Sequence, residues 1–320
     1  MNTPNENQLM AGNRTQLPLS ELLDVSLGQI TTGEIDSGLS ALMTGLWELR
    51  QGSTLDQWHH LIREGRQHPL CKVLLQDPMT EWAFTRPRGY PGDAVLLDHT
   101  YELGNVVSRR LENATALGKN IYRWLVTFSG IIGLKERRRY IATLLDETAE
   151  TRTHANVLSI ACGHGRELDL CTAIRSERLH FTGLDQDEES LQTLNRDYDC
   201  PHVSTEVRTV KELLQDQSKY AGFDLVYSMG LFDYLPDNLA QVFLNAMMSM
   251  AKPGGRVVIA NGLKGVLDTG YIEMFMDWHL IYRTEDDLTR LLSRPSDVIH
   301  HSRVFSQASK HFGYLEVVKR

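Results

Sequence analysis

The second half of the chain alternates short apolar runs with stretches of helical periodicity, and this alternation constrains the fold more than any other feature. The runs that have the length and composition of strands are residues 156–161, 180–184, 202–207, 223–228, 256–260, 298–304 and 312–318. Helical stretches fit between the first five, which is typical of a mainly parallel sheet covered on both faces. Only residues 305–311 separate the last two runs, too few for a crossover helix, so these runs are expected to form an antiparallel hairpin at the sheet edge. The sequence therefore predicts an α/β fold.

The first half of the chain is predicted to be mainly helical. Residues 1–15 have the polar composition of a disordered tail. Apolar residues then recur at helical spacing, as in Leu39 and Leu42. Residues 77–98, DPMTEWAFTRPRGYPGDAVLLD, carry three prolines and two glycines and are predicted to form a long ordered loop and not a helix. The expected organisation is a tail at 1–15, a helical lid and acceptor-pocket region at 16–120, and a ligand-binding domain at 121–320.

Charge and composition argue against several classes of function. The 320 residues include 33 basic and 41 acidic side chains, well mixed along the chain, with a formal net charge of -8. Arg137, Arg138 and Arg139 are predicted to form a solvated helix face, so no basic surface suited to nucleic acid is expected. The sequence has no run of 18 apolar residues and no apolar leader, which predicts a cytoplasmic protein without an integral membrane segment. The four cysteines are scattered, so neither a disulfide framework nor a metal site is predicted.

The stretch VLSIACGHGREL, residues 157–168, indicates a ligand-binding loop at the end of the first predicted strand. In an open α/β sheet, ligands bind beyond the carboxyl ends of the strands. Gly163 and Gly165 allow a tight turn and close approach of a ligand to the backbone, and a following helix would offer free N–H groups at its N-terminus. Asp185 ends the second predicted strand, where a carboxylate can accept both hydroxyls of a ribose. Together these residues predict a ligand that contains adenosine.

The residues after the glycines narrow the choice of ligand. A dinucleotide fingerprint would need glycine at the position of Leu168, and Arg166 and Glu167 crowd the place of a pyrophosphate. The carboxylate of Glu167 would repel a phosphate and suits a cationic amino group. An adenosine ligand with an ammonium group and no phosphate is S-adenosyl-L-methionine, which is therefore the predicted cofactor.

The domain resembles the class I S-adenosylmethionine-dependent methyltransferases over roughly residues 122–320, on the stretches VLSIACGHGREL, TGLDQDEESL, FDLVYSMGLFDYLPD and AKPGGRVVIANG. The resemblance implies a Rossmann-like sheet of seven strands whose last strand is antiparallel. It implies that the two glycines face the methionine part of the cofactor, that Asp185 binds the ribose, and that the adenine lies near residues 209 and 210. Ser159 and Ala161 stand where these enzymes usually have an acid and a glycine, and Glu167 is the expected substitute for the acid. The expected cofactor contacts are Tyr90, Gly163, Gly165, Glu167, Asp185, Gln186, Thr209, Val210, Ser228, Met229, Asp233 and Tyr234.

A narrower resemblance extends into the helical region. The stretches TRPRGYPGDAVLLDHTY, SMGLFDYL and WHLIYRTEDDL resemble the bacterial methyltransferases for biosynthesis of the extracellular factor 3-hydroxypalmitic acid methyl ester, a quorum-sensing signal. This resemblance implies carboxyl O-methylation of a small acyl acceptor, a 3-hydroxy fatty acid. Because a fold does not determine a substrate, two alternatives stay open. They are O-, N- or C-methylation of another specialised metabolite, and a non-catalytic regulator that binds S-adenosylmethionine.

The candidate catalytic residues follow the fifth predicted strand. Methyl transfer from a sulfonium requires alignment and exclusion of water, and a general base is needed only when the acceptor must lose a proton. His279 is the first candidate for such a base and His164 the second, with packing as the alternative role of His279. Arg283 is the candidate to pair with a substrate carboxylate, or else caps a surface helix. Tyr282 is the candidate to close the acceptor pocket, or else is a buried structural residue.

Two further groups are candidates for contacts with the cofactor or the acceptor. Arg88, Tyr90 and Asp93 in the RGYPGDA loop are expected to fold over the cofactor carboxylate, with a rigid turn between helices as the alternative. Asp233 and Tyr234 follow the fourth predicted strand, where class I methyltransferases place such contacts. The alternative is that this stretch only packs a helix.

Overall fold

All seven predicted strands are present in the computed structural model. They are β1 (Ala155–Ile160), β2 (Leu179–Asp185), β3 (Val203–Val207), β4 (Phe223–Ser228), β5 (Ala251–Gly262), β6 (Ile299–Ser306) and β7 (Phe312–Lys319). They form one sheet in the order β3-β2-β1-β4-β5-β7-β6. β1 to β5 pair in parallel, whereas β7 lies antiparallel between β5 and β6. The predicted Rossmann-like α/β fold, with a mainly parallel sheet and an antiparallel C-terminal hairpin, is confirmed.

The chain folds into two units. The structure describes residues 17–152, 154–292 and 298–320, so the tail predicted at 1–15 lies outside the described residues. The helical unit consists of the chain up to Ile131 together with Gly265–His279, and the sheet unit consists of Ile132–Lys264 and Leu280–Arg320. Within the described ranges, no helix combines the length and the apolar character that crossing a membrane requires.

Buried side chains cover both faces of the sheet. Leu158 and Ile160 of β1 belong to one apolar cluster, whereas their neighbour Val157 belongs to another. Successive strand residues point to opposite faces, so the two clusters lie on opposite sides of the sheet. Burial on both faces explains why the strands are continuous apolar runs in the sequence.

Helices make up most of the remaining described structure. They are α1 (Leu19–Thr31), α2 (Ile35–Gly52), α3 (Leu55–Gln67), α4 (Pro69–Leu74), α5 (Pro78–Thr85), α6 (Ala94–Tyr101), α7 (Asn105–Asn113), α8 (Ala116–Leu125), α9 (Ser129–Glu150), α10 (Glu188–Asp197), α11 (Val210–Gln215), α12 (Asp237–Met250), α13 (Thr269–Phe275) and α14 (Glu285–Arg290). The helical unit contains α1 to α8 and α13, and the sheet unit contains α10 to α12, α14 and most of α9.

The prediction of a loop at residues 77–98 is wrong, because α5 and α6 occupy most of this segment. Each helix begins at an aspartate cap. The carboxylate of Asp77 accepts hydrogen bonds from the backbone of Met79 and Thr80, and that of Asp93 accepts one from Leu96. Pro78 stands at the first position of α5, where a proline has no intrahelical hydrogen bond to lose. Only residues 86–93 remain as a loop.

The helix expected between β1 and β2 is also absent from the described chain, which has a short 3-10 helix, Arg166–Asp169, in its place. The Asp146 carboxylate accepts hydrogen bonds from the backbone N–H groups of Thr172 and Ala173, at 2.9 and 2.7 Å. Arg138 donates to the carbonyl oxygen of Arg166 at 2.7 Å. Side chains of α9 thus form hydrogen bonds with backbone groups that would pair with each other in an α-helix. The glycine loop therefore does not lead into the N-terminus of an α-helix.

One segment belongs to a different unit from the one predicted. Residues 121–320 were expected to form a single domain, but Gly265–His279 folds with the helical unit. Tyr271, Met274 and Phe275 of α13 are buried in the apolar core of that unit. His279 consequently lies in the helical unit, whereas Tyr282 and Arg283 lie in the sheet unit.

Candidate cofactor and acceptor site

The glycine loop follows β1 at the carboxyl edge of the sheet. Gly163 and Gly165 have φ angles of +53° and +61°, in the left-handed region that glycine adopts without strain. A Cβ atom at position 165 would lie 2.8 Å from Cδ1 of Leu194, so the chain also approaches α10 closely there. Ala161 has a φ of +56°, in the same left-handed region, where a residue with a Cβ is strained. His164, the second candidate base, is buried within the loop.

Asp185 at the end of β2 holds the glycine loop and keeps acceptor capacity. One carboxylate oxygen accepts the Gly163 N–H at 2.8 Å, and the other accepts the Asp187 N–H at 2.9 Å. Burial raises the pKa of Asp185, and these backbone hydrogen bonds oppose the rise. A carboxylate oxygen can accept two hydrogen bonds, so each oxygen can take one further donor. The side chain can therefore accept two hydroxyl groups of one ligand.

Glu167 lies in the 3-10 helix directly after the glycines and faces β4. The hydroxyl of Tyr227 donates to its carboxylate at 2.5 Å. Burial raises the pKa of Glu167, and the hydrogen bond from Tyr227 opposes the rise. Ser159, which stands at the usual position of the acid, is hydrogen-bonded to the same tyrosine. A carboxylate beside the glycine loop is thus supplied by Glu167, whereas β1 has a serine at residue 159.

The segment after β3 lies beside Asp185. The Arg208 N–H donates to the carbonyl oxygen of Asp185 at 2.8 Å, so Thr209 and Val210 follow directly alongside the end of β2. Thr209 is the N-cap of α11 and exchanges hydrogen bonds with Glu212. The side chain of Thr209 is therefore committed to the cap. Gln186 is exposed.

The end of β4 presents a buried hydroxyl and a buried acid. Ser228 is fully buried, and its Oγ atom has no hydrogen-bond partner among the described residues. The carboxylate of Asp233 accepts the Gly262 N–H at 2.7 Å. Burial raises the pKa of Asp233 to about 6, against the opposing effects of that hydrogen bond and of nearby arginines. Tyr234 is 40% exposed, so only the aspartate of this pair is enclosed.

Arg283 does not offer its guanidinium to a ligand. It is 1% exposed, and all five of its N–H groups donate within the protein. The acceptors are the carbonyl oxygens of Phe232 and Leu235 and the side chains of Asn261 and Asp237. The prediction that Arg283 pairs with a substrate carboxylate is wrong, because no donor remains. Tyr282 packs its ring beside Gly262, where a Cβ would lie 3.2 Å from the tyrosine Cδ1.

Four predicted residues lie in the helical unit: Arg88, Tyr90, Asp93 and His279. Arg88 is half-buried. Tyr90 is half-buried in the loop between α5 and α6. Asp93 caps α6 and accepts a hydrogen bond from the Trp82 indole at 2.9 Å, so its expected role over the cofactor carboxylate is replaced by a structural one. His279 is exposed, and its Nε2 atom lies 3.2 Å from the Asp277 carboxylate. Asp277 also forms ion pairs with Arg66 and Arg86.

Arg137 is the site residue that the sequence reasoning missed. Of the predicted solvated face, Arg139 is exposed, but Arg137 is only 6% exposed and donates to the Met229 carbonyl oxygen at 2.6 Å. Its helical neighbours Leu134 and Ile141, three residues before and four after, are buried too. That 3-4 spacing was the available signal, because it places Arg137 on the inner face of α9.

Comparison with known proteins decides the class of the sheet unit. Residues 158–257 match the family model of a methyltransferase domain. The chain carries a methyltransferase domain. This match agrees with the methyltransferase activity predicted from the sequence, and S-adenosylmethionine is the predicted methyl donor. No curated protein matches the chain.

Two solved structures are similar to the chain at low sequence identity. A structure described as a possible exported protein of Bordetella parapertussis has a TM-score of 0.54 and 17% identity, and covers 84% of this chain and 98% of its own. The magnesium protoporphyrin IX methyltransferase of Synechocystis, solved with bound S-adenosylhomocysteine, has a TM-score of 0.48 and 14% identity over 71% of this chain and 99% of its own. The first likeness extends the shared fold beyond the segment that the family model matches.

Proposed function

We propose that this methyltransferase esterifies the carboxylate of a 3-hydroxy fatty acid and so produces a methyl ester signal. The proposal has two parts, the residues that hold the cofactor and the nature of the acceptor. The first depends on the donors and acceptors at the ends of β1, β2 and β4. The second depends on the stretches that carry the narrower family resemblance.

The hydrogen-bonding groups of the sheet unit fit S-adenosylmethionine. Asp185 has one acceptor position left on each oxygen, which suits the two hydroxyls of a ribose. Glu167 offers a carboxylate next to Gly163 and Gly165 for the ammonium group. The unpartnered buried Oγ of Ser228 suits a polar atom of the methionine part. When bound, the cofactor supplies a sulfonium methyl group.

Further contacts are assigned by position along the carboxyl edge. Thr209 and Val210 are proposed to border the adenine, because they continue alongside Asp185. Gln186 and Met229 are proposed to complete the contacts next to Asp185 and Ser228. The contact of Tyr90 with the cofactor, expected from the sequence, stays a prediction.

One observation carries the choice of acceptor: two of the stretches that resemble the fatty acid methyltransferases are bonded to each other beyond β4 and β5. Arg283 donates to the carbonyl oxygens of Phe232 and Leu235, at 2.7 and 2.6 Å. The Ile281 N–H donates to the carbonyl oxygen of Asp233 at 2.7 Å. SMGLFDYL and LIYRTEDDL thus form one structural element at the edge of the sheet where an acceptor must approach. We therefore transfer the acceptor class of that family to this chain.

Carboxylate methylation suits a site without a dedicated base. A fatty acid is ionised at pH 7, so an electron pair of one carboxylate oxygen forms the new bond to the methyl carbon. The bond from sulfur to that carbon breaks, and its electron pair stays on the sulfur as a neutral thioether. No proton has to be removed, and the protein needs to align the reactants and exclude water.

The test is product analysis by mass spectrometry after incubation of the purified protein with S-adenosylmethionine and 3-hydroxypalmitate. Palmitate and methyl 3-hydroxypalmitate serve as matched acceptors that lack the hydroxyl and the free carboxylate. We expect methyl 3-hydroxypalmitate from the hydroxy acid, slower esterification of palmitate, and no methylation of the ester. Methylation of the ester at its hydroxyl would refute carboxyl chemistry.

A second acceptor class is supported by His279. Its contact with Asp277 resembles the arrangement of a general base oriented by a carboxylate, which a hydroxyl or amine acceptor would require. Loss of activity on removal of the imidazole separates this alternative from carboxylate chemistry.

A further inference from the structure

Arg137 is a buried cation with unused hydrogen-bond donors. Its side chain makes one hydrogen bond to described residues, from Nη1 to the Met229 carbonyl oxygen, and its guanidinium lies 4.7 Å from the ring centre of Phe312. The charge of Arg137 acts to lower the pKa of Glu167 and of Asp233, but neither carboxylate forms an ion pair with it. Within the described chain, Nε and Nη2 donate to no protein atom. Arg283, the other buried arginine of this edge, uses all five of its N–H groups.

The unused donors of Arg137 are available to a ligand. Burial of a cation costs free energy that an anionic partner can offset. The ring of Phe312 and one carbonyl oxygen offset only part of it. Nε and Nη2 form one edge of the guanidinium fork, which matches the two oxygens of a carboxylate in a bidentate pair.

The position of Arg137 in the sheet unit indicates which carboxylate it can bind. Met229 directly follows β4, and Phe312 begins β7 opposite Gly262 at the end of β5. The sheet order places Asp185 and the glycine loop on β2 and β1, to one side of β4. A cofactor held by those residues would lie beside β2 and β1, which would leave the side of β4, β5 and β7 for the methyl acceptor. Arg137 stands on that side.

We propose that Arg137 binds the carboxylate of the methyl acceptor through Nε and Nη2. This inference rests on the proposed function, because it supplies the recognition element for the acid group. Methylation converts the anionic carboxylate into a neutral ester, while the sulfonium loses its positive charge. The ester cannot keep the charge-assisted pair with Arg137, so the same contact that binds the acid favours release of the product.

The test compares the binding of acid and ester by calorimetry, with the protein loaded with S-adenosylhomocysteine. Wild type should bind 3-hydroxypalmitate at least about tenfold more tightly than methyl 3-hydroxypalmitate, as expected for one charge-assisted pair. Arg137→Met should remove this preference and leave the affinity for S-adenosylhomocysteine within about twofold. Arg139→Met removes an exposed arginine from the same helix and should leave both quantities unchanged.

Several results would overturn the assignment. If Arg137→Met keeps the preference for the acid, another group binds the carboxylate. If Arg137→Met weakens the binding of S-adenosylhomocysteine by about tenfold or more, the arginine binds the carboxylate of the cofactor instead. Should Arg137→Met fail to fold, Arg137→Lys decides: it keeps the charge but loses the bidentate edge, so the acid preference should fall at least about threefold, and an unchanged preference contradicts the proposal.

The inference and the proposed function can fail separately. If wild type does not bind 3-hydroxypalmitate, the fatty acid assignment fails, and benzoate and methyl benzoate replace the lipid pair in the same titration. A preference for benzoate that Arg137→Met abolishes would retain the carboxylate site without the lipid. No preference for either acid would reject the site.

Discussion

Asp185→Ala tests the cofactor site directly, because one side chain is assigned to both ribose hydroxyls. Hydrogen bonds to an ionised acceptor are worth about 1.5–3 kcal/mol each. Loss of two such bonds should weaken the binding of S-adenosylhomocysteine by about a hundredfold or more. The variant also leaves the N–H groups of Gly163 and Asp187 without their acceptor, which adds to the loss. Asp185→Asn keeps one amide oxygen but turns an NH2 group toward one of these N–H groups, so an intermediate affinity is expected.

Calorimetric titration with S-adenosylhomocysteine measures this effect, and thermal unfolding without ligand shows whether the loop itself is damaged. Asp199→Asn, at an exposed position, is the matched control and should bind like wild type. Burial raises the pKa of Asp185. As the pH is lowered, the affinity of wild type for S-adenosylhomocysteine should therefore begin to fall at a higher pH than it would with an aspartate of ordinary pKa. A dissociation constant for Asp185→Ala within about threefold of wild type would show that the ribose is held elsewhere.

Four other substitutions have defined expectations. Arg283→Met should lower the free energy of unfolding by about 3–5 kcal/mol in urea titrations, because it removes a buried guanidinium that donates all its hydrogen bonds within the protein. A loss below about 1 kcal/mol would show that these hydrogen bonds do not stabilise the fold. Gly165→Ala should destabilise by about 1–3 kcal/mol through backbone strain and contact with α10, whereas Gly28→Ala, with open space at its Cβ, should be neutral or stabilising in the same assay. Burial raises the pKa of Asp77 to about 6, so the ionised form is penalised in the folded state. This penalty is absent below the unfolded pKa near 4 and complete above 6. The free energy of unfolding of Asp77→Asn relative to wild type should therefore improve by up to about 3 kcal/mol from pH 4 to 7. A difference in free energy that does not change with pH would refute the raised pKa. His279→Ala should keep most esterification activity in initial-rate assays, whereas a loss of about a hundredfold would favour a hydroxyl or amine acceptor.

The strands could be predicted from the sequence because burial on both faces leaves a strong local signal. The run at 223–228 matches β4 to the residue, and the hairpin followed from the short distance between the last two runs. The helices α5 and α6 were missed because prolines and glycines were counted as loop signals. Asp77 and Asp93 are helix caps, and this role outweighed the composition of the segment.

The roles of the arginines could not be predicted in the same way. Whether a guanidinium is satisfied depends on carbonyl oxygens brought together by tertiary structure, as those of Phe232 and Leu235 are around Arg283. Arg137 had a helical spacing that indicated burial, but no local pattern tells which buried arginine keeps free donors. The positions of Gly163, Gly165 and Asp185, by contrast, follow from their places at strand ends.

The discontinuity of the helical unit affects how the chain folds during its synthesis. The core around Leu39 and Trp58 is complete only when Tyr271 and Phe275 have been translated, more than a hundred residues after α8 ends. The sheet likewise waits for β7, which must insert between β5 and β6. Neither unit can close in the order in which the ribosome delivers it, so the nascent chain keeps apolar surface exposed until late in translation. A chain stalled before α13 should be markedly more sensitive to protease than the released protein.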